Sequence, residues 1–368
     1  MPFHFWTVVF FVLGSMVGSL LNVCIYRMPR GLSVVRPRSH CPNCQYAIPW
    51  FLNMPLVTWL YLRGKCANCK MSISIRYFLV ELLTGVAFAA CWLNFGSRSP
   101  LLALAACLIV GGFIVAIFID IEHLIIPDEI TIGGIVVGFL LSAVAPELHN
   151  TTDRAEALKL SALGIIVGGG IVYLILRGGK LAFGKKRIEF PPDSKVIFTE
   201  TSLKLPDQEI PFEELFYRKS DFIELQAKTL ELTDRCYFNT LVKLTPEELL
   251  IGEEKFNPEQ IPHMEVVTSQ VILPQEAMGF GDVKFMAAIG AFLGWQVALF
   301  SLMWSAVLGT VVVLITMLFQ RREWGQKIPY GPYIAVAAMI WLFLPSNVQQ
   351  MWFNYLSIFT HLATGRPI

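Results

Sequence analysis

Long apolar runs constrain the fold of this chain more than any other feature. A helix needs roughly 20 predominantly apolar residues to cross a bilayer, within a range of about 17 to 25. Eight runs are candidates, two of them short: 5–26, 77–95, 101–119, 130–146, 160–176, 284–296, 297–319 and 330–345. Only 15% of the residues are charged, against roughly 25% in a soluble domain. The sequence therefore predicts an all-α polytopic membrane protein with about eight transmembrane helices.

The positions of lysine and arginine predict the orientation of these helices, because basic residues near the ends of a span favour the cytoplasmic side. The loops after the first, fifth and seventh runs are rich in them: Arg27, Arg30, Arg36, Arg38, Arg63, Lys65, Lys70 and Arg76; Arg177, Lys180, Lys185, Lys186 and Arg187; Arg321, Arg322 and Lys327. These three loops are predicted to be cytoplasmic, as are the surroundings of Asp120 and Asp282. The net charge of +1 gives no argument for nucleic acid binding.

The first basic loop, residues 27–76, contains two Cys-x-x-Cys pairs: Cys41 with Cys44, and Cys66 with Cys69. This spacing resembles a zinc ribbon, in which each pair forms a tight turn and four thiolates close a tetrahedral site. Disulfides do not persist in the reducing cytoplasm. The sequence therefore predicts a structural zinc site, with unligated or redox-active thiols as the alternative.

The second basic loop continues into about a hundred residues, 178–278, that are no longer apolar. The alternating stretches "SKVIFTETSLKL" and "MEVVTSQVIL" predict strands, and "TPEELL" predicts a short helix that begins with Thr245 as its N-cap. We expect a small soluble α+β domain inserted on the cytoplasmic side.

Aspartates at the cytoplasmic ends of apolar runs are the candidates for chemistry, because charge at such depth is costly and usually functional. Asp120 ends the third run, and Asp128 is interpreted as a helix cap at the start of the fourth. Asp282 follows two glycines in "GFGD". We expect Gly279 and Gly281 to supply backbone torsions closed to other residues and to let a second helix approach closely, and Asp282 to lie in the first turn of a helix.

Asp120 and Asp282 support one particular chemistry if they meet. Two facing carboxyl groups can share one proton, so that one acts as a base on water and the other as an acid toward a carbonyl oxygen. The same two residues could instead relay protons in a transporter. Spacing in the sequence does not decide between these alternatives.

Five motifs in order resemble those of the bacterial type IV prepilin leader peptidases, which are GxGD aspartic proteases. The motifs are "GSLLNVCIYRMP", the paired cysteines followed by "RYFLVELLTG", then "FIDIEHLIIPD", "GFGDVKFMAAIGAFLG" and "IPYGPYIAVAA". The resemblance extends from about residue 14 to 340 and fails only across the insert. It implies an inner-membrane endopeptidase that cleaves the basic leader of prepilins and pseudopilins on the cytoplasmic side, with Asp120 and Asp282 as the catalytic aspartates.

The resemblance also implies a second activity, methylation of the new N-terminal amine with S-adenosylmethionine as the methyl donor. Gly64, in "RGKC", matches a glycine that is associated with that step in the family. The sequence shows no pocket for the methyl donor.

Combining motifs and runs predicts five segments. They are 1–26, the first transmembrane helix; 27–76, the cytoplasmic zinc-binding loop; 77–177, transmembrane helices two to five with the first catalytic aspartate; 178–278, the inserted soluble domain; and 279–368, the GxGD motif with helices six to eight.

Family members usually have a short loop in place of the fourth segment, 178–278. We expect this insert to contact components of a pilus or type II secretion assembly; normal processing and assembly after its deletion would contradict that.

Three functions remain open from the sequence. The first is a peptidase that is also a methyltransferase, and the second is a peptidase that keeps the zinc loop only as part of its fold. The third is an ion-coupled transporter that uses Asp120 and Asp282, for which internal repeats and helices interrupted at the bilayer midplane would be expected. A non-enzymatic zinc-ribbon scaffold is weaker, since it gives Asp120 and "GFGD" no role.

Overall fold

The chain forms two compact units, Met1–Tyr173 together with Gly279–Ile368, and Leu174–Met278. The computed structural model describes residues 3–206, 208–216, 221–232, 235–261, 263–274, 279–319 and 328–364. Arg321, Arg322 and Lys327, which supported the predicted orientation, lie outside these ranges.

Every predicted apolar run falls on a helix of the first unit. Its described helices are α1 (Phe3–Arg27), α2 (Val57–Tyr61), α3 (Ile75–Phe95), α4 (Pro100–His123), α5 (Asp128–Val144), α6 (Arg154–Phe183, which continues into the second unit), α8 (Phe280–Leu293), α9 (Trp295–Leu318), α10 (Gly331–Phe343) and α11 (Ser346–Thr364). Helix α7 belongs to the second unit. Helix α11 was not expected from the sequence.

The number of helices that can cross a membrane is smaller than the eight expected. Within the described residues, α1, α3, α4, α6 and α9 are long and apolar enough to span a bilayer. Helices α10 and α11 meet at 113° and count as a sixth span if the bent pair crosses together. Helices α5 and α8 have only 17 and 14 residues, against the roughly 20 that a span needs. Eight crossings are therefore not confirmed.

Glycines allow α6 and α8 to touch through their backbones. A Cβ atom built on Gly164 would lie 2.0 Å from the carbonyl oxygen of Gly290, and the reverse distance is also 2.0 Å. One turn further along α6, a Cβ on Gly168 would lie 2.5 Å from the carbonyl oxygen of Met286. Small residues commonly permit such close crossings between membrane helices. Gly168, in the stretch "GGG" at 168–170, is thus one of the residues that let α6 and α8 pack closely.

The inserted unit is built on one antiparallel sheet of eight strands. The strands are β1 (Lys185–Phe198), β2 (Ser202–Lys204), β3 (Glu209–Pro211), β4 (Ile223–Glu231), β5 (Cys236–Leu244), β6 (Leu249–Ile251), β7 (Glu254–Phe256) and β8 (Met264–Pro274), in the order β3-β2-β1-β8-β4-β5-β6-β7. Buried and exposed side chains alternate along β4 and β8, so the apolar residues of one face form a core. The entry and exit strands pair directly, with Lys185 opposite Pro274.

The expected α+β character of the insert is wrong in one respect. Apart from the end of α6, the helices described in it are the four-residue α7 (Phe212–Leu215) and a 3₁₀ turn. In "TPEELL", the Thr245 hydroxyl accepts a hydrogen bond from the Glu248 amide at 2.9 Å, as a helix cap would. The chain nevertheless turns back, because Leu249 pairs with Leu244 across β5 and β6. The same local bond serves a tight turn as well as a helix.

A buried polar cluster joins α5, α6 and α8 in the first unit. The Ser142 hydroxyl hydrogen-bonds Nε2 of His149 at 2.9 Å, and Ser161 donates to the carbonyl oxygen of Ala291 at 2.8 Å. His149 lies in the short turn between α5 and α6. Burial lowers the pKa of His149 to about 4, so the ring is neutral in the folded protein at neutral pH.

We expect His149 to make the protein less stable in mild acid. An unfolded histidine takes up a proton below about pH 6.5, whereas folded His149 resists protonation until about pH 4. The unfolded state then binds more protons in that window, so stability falls as the pH drops through it. Thermal unfolding in detergent should show a midpoint roughly 5–10 °C lower near the acidic end of the window than at neutral pH.

His149→Asn should lose part of this pH dependence. His263→Asn, at an exposed histidine of the insert, serves as the control and should keep it. An identical pH profile for His149→Asn and wild type would contradict the assignment.

Candidate functional site

Asp120 lies in the last turn of α4, where the helix ends. The helix stops at His123 because Leu124 takes a left-handed conformation with φ of 56°. Asp120 is buried, with only 5% of its surface exposed. A carboxyl group at this position has few water molecules around it, so its partners in the protein determine its chemistry.

Asp282 lies in the first turn of α8, as the sequence predicts. It is buried with 8% exposure, and a hydrogen bond from the Gly279 backbone reaches its carboxyl group. The N-terminal end of a helix favours a carboxylate through its dipole and its free N–H groups.

The expected role of the two glycines in "GFGD" is wrong. Gly279 has φ of −70°, which any residue can adopt. Gly281 is not among the glycines with positive φ, and a Cβ atom built on it would meet Ile126 at an ordinary 3.7 Å. Unusual torsions are therefore not what these glycines provide.

The structure brings Asp120 and Asp282 together beside the start of α10. The charge of Asp120 acts on the carboxyl group of Asp282, and the charge of Asp282 reaches the Tyr330 hydroxyl. The Gly331 amide donates a hydrogen bond of 2.9 Å to Oδ2 of Asp120. The Tyr330 hydroxyl is fixed by a 2.8 Å hydrogen bond to Ser305. Three helix ends thus meet at one pair of buried carboxyl groups.

Gly331 is a site residue to which sequence reasoning assigned no role. A Cβ atom built on it would lie 2.7 Å from Oδ2 of Asp120 and 2.8 Å from Ile126, so only glycine fits without displacing them. Pro332 follows it as the second residue of α10. A proline in the first helical turn was the available signal, since it indicates a helix N-terminus that can bind an anion.

Two ion pairs involve residues close in sequence to the two aspartates, since Glu122 follows Asp120 and Lys284 follows Asp282 by two positions. Lys284 of α8 contacts Asp128 of α5 through Nζ and Oδ1 at 2.6 Å, and Arg76 pairs with Glu122. The interpretation of Asp128 as a cap needs correction. Pro127 is the N-cap of α5 and makes no side-chain cap bond, while Asp128 is the first residue of the helix.

The four cysteines of the predicted zinc loop form one cluster. Their sulfur atoms all lie within 4.8 Å of one another, with Cys41 to Cys69 at 3.8 Å and Cys44 to Cys66 at 4.0 Å. A tetrahedron with zinc–sulfur bonds of about 2.3 Å requires sulfur atoms about 3.8 Å apart. The donors therefore fit a tetrahedral thiolate-bound metal ion such as zinc.

The two cysteine pairs have the same backbone structure. The amide of each first cysteine donates to the carbonyl oxygen five residues later, Cys41 to Tyr46 at 3.0 Å and Cys66 to Met71 at 2.9 Å. The residue after each second cysteine, Gln45 and Lys70, has a positive φ of 57° or 60°. The loop is thus an internal repeat of two matching turns.

An asparagine in each cysteine turn also contacts the sulfur atom of the second cysteine in the other turn. The amide of Asn43 points at Cys69 Sγ and that of Asn68 at Cys44 Sγ, both at 3.7 Å. The Met71 amide, followed by Asn43, lowers the pKa of the Cys69 thiol to about 6. The contacts from Asn43 and Asn68 thus favour the thiolate, the form that binds a metal, at Cys69 and at Cys44 respectively.

Gly64 lies outside the metal cluster and against an aromatic ring. It has φ of 66°, and a Cβ atom built on it would lie 2.8 Å from the Trp59 ring. Both its conformation and its surroundings therefore require glycine.

Comparison with known proteins identifies two matching family descriptions. Residues 12–95 match the bacterial peptidase A24 N-terminal domain, and residues 263–314 match the type IV leader peptidase family. The first match contains the four cysteines and the second contains Asp282. No solved structure is significantly similar to the chain.

Curated relatives cover most of the chain at lower identity and part of it at higher identity. A prepilin leader peptidase/N-methyltransferase of Aeromonas hydrophila is 25% identical over 97% of both chains. The protein of the same name from Myxococcus xanthus is 45% identical over 37% of this chain and 40% of its own. That from Neisseria gonorrhoeae is 33% identical over 47% of this chain and 66% of its own.

We expect the purified protein to contain about one tightly bound zinc ion per chain, because the four sulfurs match a closed tetrahedral site. Cys41→Ser or Cys66→Ser should remove most of it, as measured by elemental mass spectrometry. Cys236→Ser, at an exposed cysteine of the insert, should leave the zinc content unchanged. Full zinc content in both cluster variants would contradict the assignment.

Proposed function

This chain belongs to the type IV leader peptidase family, and we propose that it is a membrane-embedded aspartic endopeptidase with Asp120 and Asp282 as its catalytic pair. Its substrates are prepilins and pseudopilins, whose basic leader it removes, and it methylates the new N-terminus. The observation that supports this best is the convergence of two buried carboxyl groups and the Gly331 amide at three helix ends.

The pair performs peptide hydrolysis by sharing one proton. The ionised carboxyl group removes a proton from water, which attacks the carbonyl carbon, while the protonated group donates its proton to the carbonyl oxygen. Collapse of the tetrahedral intermediate transfers a proton to the departing amine and separates the leader. The Gly331 N–H holds Oδ2 of Asp120, so that this carboxyl group keeps one orientation through the reaction.

The position of the pair suits a substrate that is itself a membrane helix. Asp120 lies in the last turn of a helix long enough to span, and Asp282 lies in the first turn of α8. A prepilin joins a basic leader to an apolar helix, so its leader junction reaches the membrane boundary while the helix stays in the lipid. Glycine at the junction allows the amide to leave the helix and become accessible.

The basic loops support a bacterial inner-membrane protein whose catalytic side is cytoplasmic. The cysteine loop carries Arg27, Arg63, Lys65 and Lys70 among its basic residues, and such residues favour the cytoplasmic side. In this arrangement α5 and α8 complete the bundle as short or tilted crossings, which would bring the number of spans to eight.

The cysteine cluster is proposed to hold structural zinc, since four thiolates leave no open position for a substrate. The names of the relatives include N-methyltransferase, and Gly64 matches the family glycine of that step. On this basis S-adenosylmethionine is the methyl donor. For the insert, we propose contact with pilus or type II secretion assembly components.

Replacing either aspartate by asparagine should abolish leader cleavage. General acid–base catalysis is worth about 10²- to 10⁴-fold, so Asp120→Asn and Asp282→Asn should each cleave a co-expressed prepilin at least ~100-fold more slowly. Cleavage is scored by size shift and by the mass of the new N-terminus. Asp153→Asn is the matched control, because its side chain only caps α6 by accepting the Ala155 amide.

Near-normal cleavage by stably inserted Asp120→Asn or Asp282→Asn would show that the pair is not catalytic. The same mass measurement reports the added methyl group on the product.

Gly331→Ala should impair cleavage without unfolding the protein. The new Cβ would displace the Asp120 carboxyl group and the tip of Ile126, both of which are movable side-chain ends. We expect a loss of at least ~10-fold in cleavage rate with normal insertion, since small misplacements of catalytic groups are costly. Gly112→Ala, also in a first-unit helix but with open space around its Cβ, should cleave normally. Normal cleavage by Gly331→Ala would contradict the positioning role.

A further inference from the structure

The last helix of the first unit, α11, turns sharply away from the helix before it. The axes of α10 and α11 meet at 113°. Helix α10 begins at Gly331, beside Asp120, and leads away from the aspartate pair to Phe343. Helix α11 begins shortly afterwards, at Ser346. It therefore does not prolong the crossing that α10 makes.

Helix α11 lies at the end of the bundle opposite the aspartates. Its residues Gln349 and Phe353 line a small cavity with residues from the three turns that join α3 to α4, α5 to α6 and α8 to α9. These turn residues include Arg98, Glu147 and Gly294. The first of these turns leads into α4 at Pro100, and Asp120 lies about 30 Å further along that helix. Roughly this distance separates the two faces of the hydrocarbon core of a bilayer.

Two hydrogen bonds hold α11 on this end of the bundle. Nε1 of Trp352 donates to the carbonyl oxygen of Gln296, near the start of α9, at 3.1 Å. The side-chain amide of Gln349 donates to the carbonyl oxygen of Trp341 in α10 at 2.9 Å. The Trp341 ring also contacts the ring of Phe353, with centroids 5.4 Å apart. One side of the helix is thus attached to the bundle.

The side chains of α11 form three stripes that follow the helical spacing of three or four residues. The stripe that packs on the bundle is half-buried and consists of Gln349, Trp352, Phe353 and Leu356. The apolar stripe is exposed and consists of Val348, Met351 and Tyr355. The polar stripe is also exposed and consists of Asn347, Gln350, Asn354 and Ser357. The helix therefore presents two chemically different sides to its surroundings.

The exposed sides of α11 lack the charges that a helix surface in water normally carries. The sequence of segment 346–364 contains no Asp, Glu, Lys or Arg. An amphipathic helix on a membrane buries its apolar face about 5–10 Å into the boundary between headgroups and acyl chains. Without basic residues, such binding depends on apolar burial and not on anionic lipid. A neutral phospholipid such as phosphatidylcholine therefore suffices.

A row of aromatic rings connects the apolar stripe with the surface of α9. Tyr355 stacks on Trp352 at 5.9 Å, Trp352 contacts Phe300 at 5.6 Å, and Phe300 contacts Trp304 at 5.9 Å between ring centroids. Trp304 is exposed on α9, which is long and apolar enough to span a bilayer. Tryptophan and tyrosine are enriched where membrane meets water. The apolar stripe thus borders a helix surface that faces lipid.

We propose that α11 is an interfacial helix, which lies in the headgroup boundary of the leaflet opposite the aspartates. The apolar stripe inserts between neutral phospholipids, and the polar stripe faces water. Helix α10 then completes the last crossing alone. The inference rests on the membrane placement in the proposed function, and it does not depend on either aspartate.

Reactivity of single cysteines with a charged, water-soluble maleimide tests the proposal. The full chain is placed in phosphatidylcholine nanodiscs that hold one chain each and expose both membrane faces. Gln350→Cys and Met351→Cys are adjacent residues on the two exposed stripes, and Met351 is 69% exposed on the protein surface. Because the reagent stays in water, Gln350→Cys should react at least ~10-fold faster than Met351→Cys if the apolar stripe is in lipid.

Both variants are made in Cys236→Ser, which removes an exposed native cysteine and reports the background. Ser97→Cys, in the turn between α3 and α4, is the control for water and should react fast. Val311→Cys, exposed on α9, is the control for lipid and should react slowly. Fast reaction of Val311→Cys would refute the membrane placement itself and not α11 alone.

Two results would overturn the proposal. Equally fast reaction of Gln350→Cys and Met351→Cys would place the apolar stripe in water. Reaction of both as slow as that of Val311→Cys would place the whole helix inside the bilayer. If Met351→Cys is protected only in nanodiscs that hold two chains, a second copy and not lipid covers the stripe, which also overturns the proposal.

The wild-type chain provides a second measurement should the cysteine variants fail to insert. Nanodiscs that contain phosphatidylcholine with a photoreactive diazirine near its glycerol are irradiated, and the adducts are located by mass spectrometry. Adducts on Met351 or Tyr355 support the proposal. Adducts confined to the spanning helices, with α11 unlabelled, overturn it.

Discussion

The burial of two carboxyl groups beside each other is the constraint on which the helical unit depends. Such groups are unfavourable away from water unless the protein supplies hydrogen bonds and oriented dipoles. Here Asp282 lies in the first turn of α8, and the Gly331 amide at the start of α10 donates a hydrogen bond to Asp120. The short helices α8 and α10 are therefore as necessary as the long ones, because each must begin beside the carboxyl groups. The ion pair between Lys284 and Asp128 also connects α8 with α5.

The cysteine cluster and the aspartate pair lie in different parts of the helical unit. The four cysteines belong to the loop that connects α1 with α3, whereas the aspartates lie at the end of α4 and the start of α8. A metal ion held by four thiolates has no open coordination position. Such an ion would therefore order the loop without taking part in peptide hydrolysis.

The sequence predicted features that depend on local patterns and missed those that depend on distant contacts. Apolar runs located the helices because burial in lipid requires continuous apolar stretches, and the cysteine spacing located the cluster because each turn is local. Gly331 was missed as a site residue because its role arises only when α10 meets α4, 211 positions away in the chain. Thr245 was misread because its local hydrogen bond fits a turn and a helix equally, and only the pairing of Leu249 with Leu244 decides.

The way the insert is attached has a consequence for how such proteins can change. Helices α6 and α8 touch directly at Gly164 and Gly290, so their contact is made by residues outside the segment that connects them. The insert enters by β1 and leaves by β8, whose ends are paired neighbours, Lys185 opposite Pro274. Any domain whose two termini lie side by side can therefore replace the sheet, and so can a short loop. Neither replacement requires a change in the packing of α6 against α8. The insert can in this way be exchanged in evolution while the helical framework is retained.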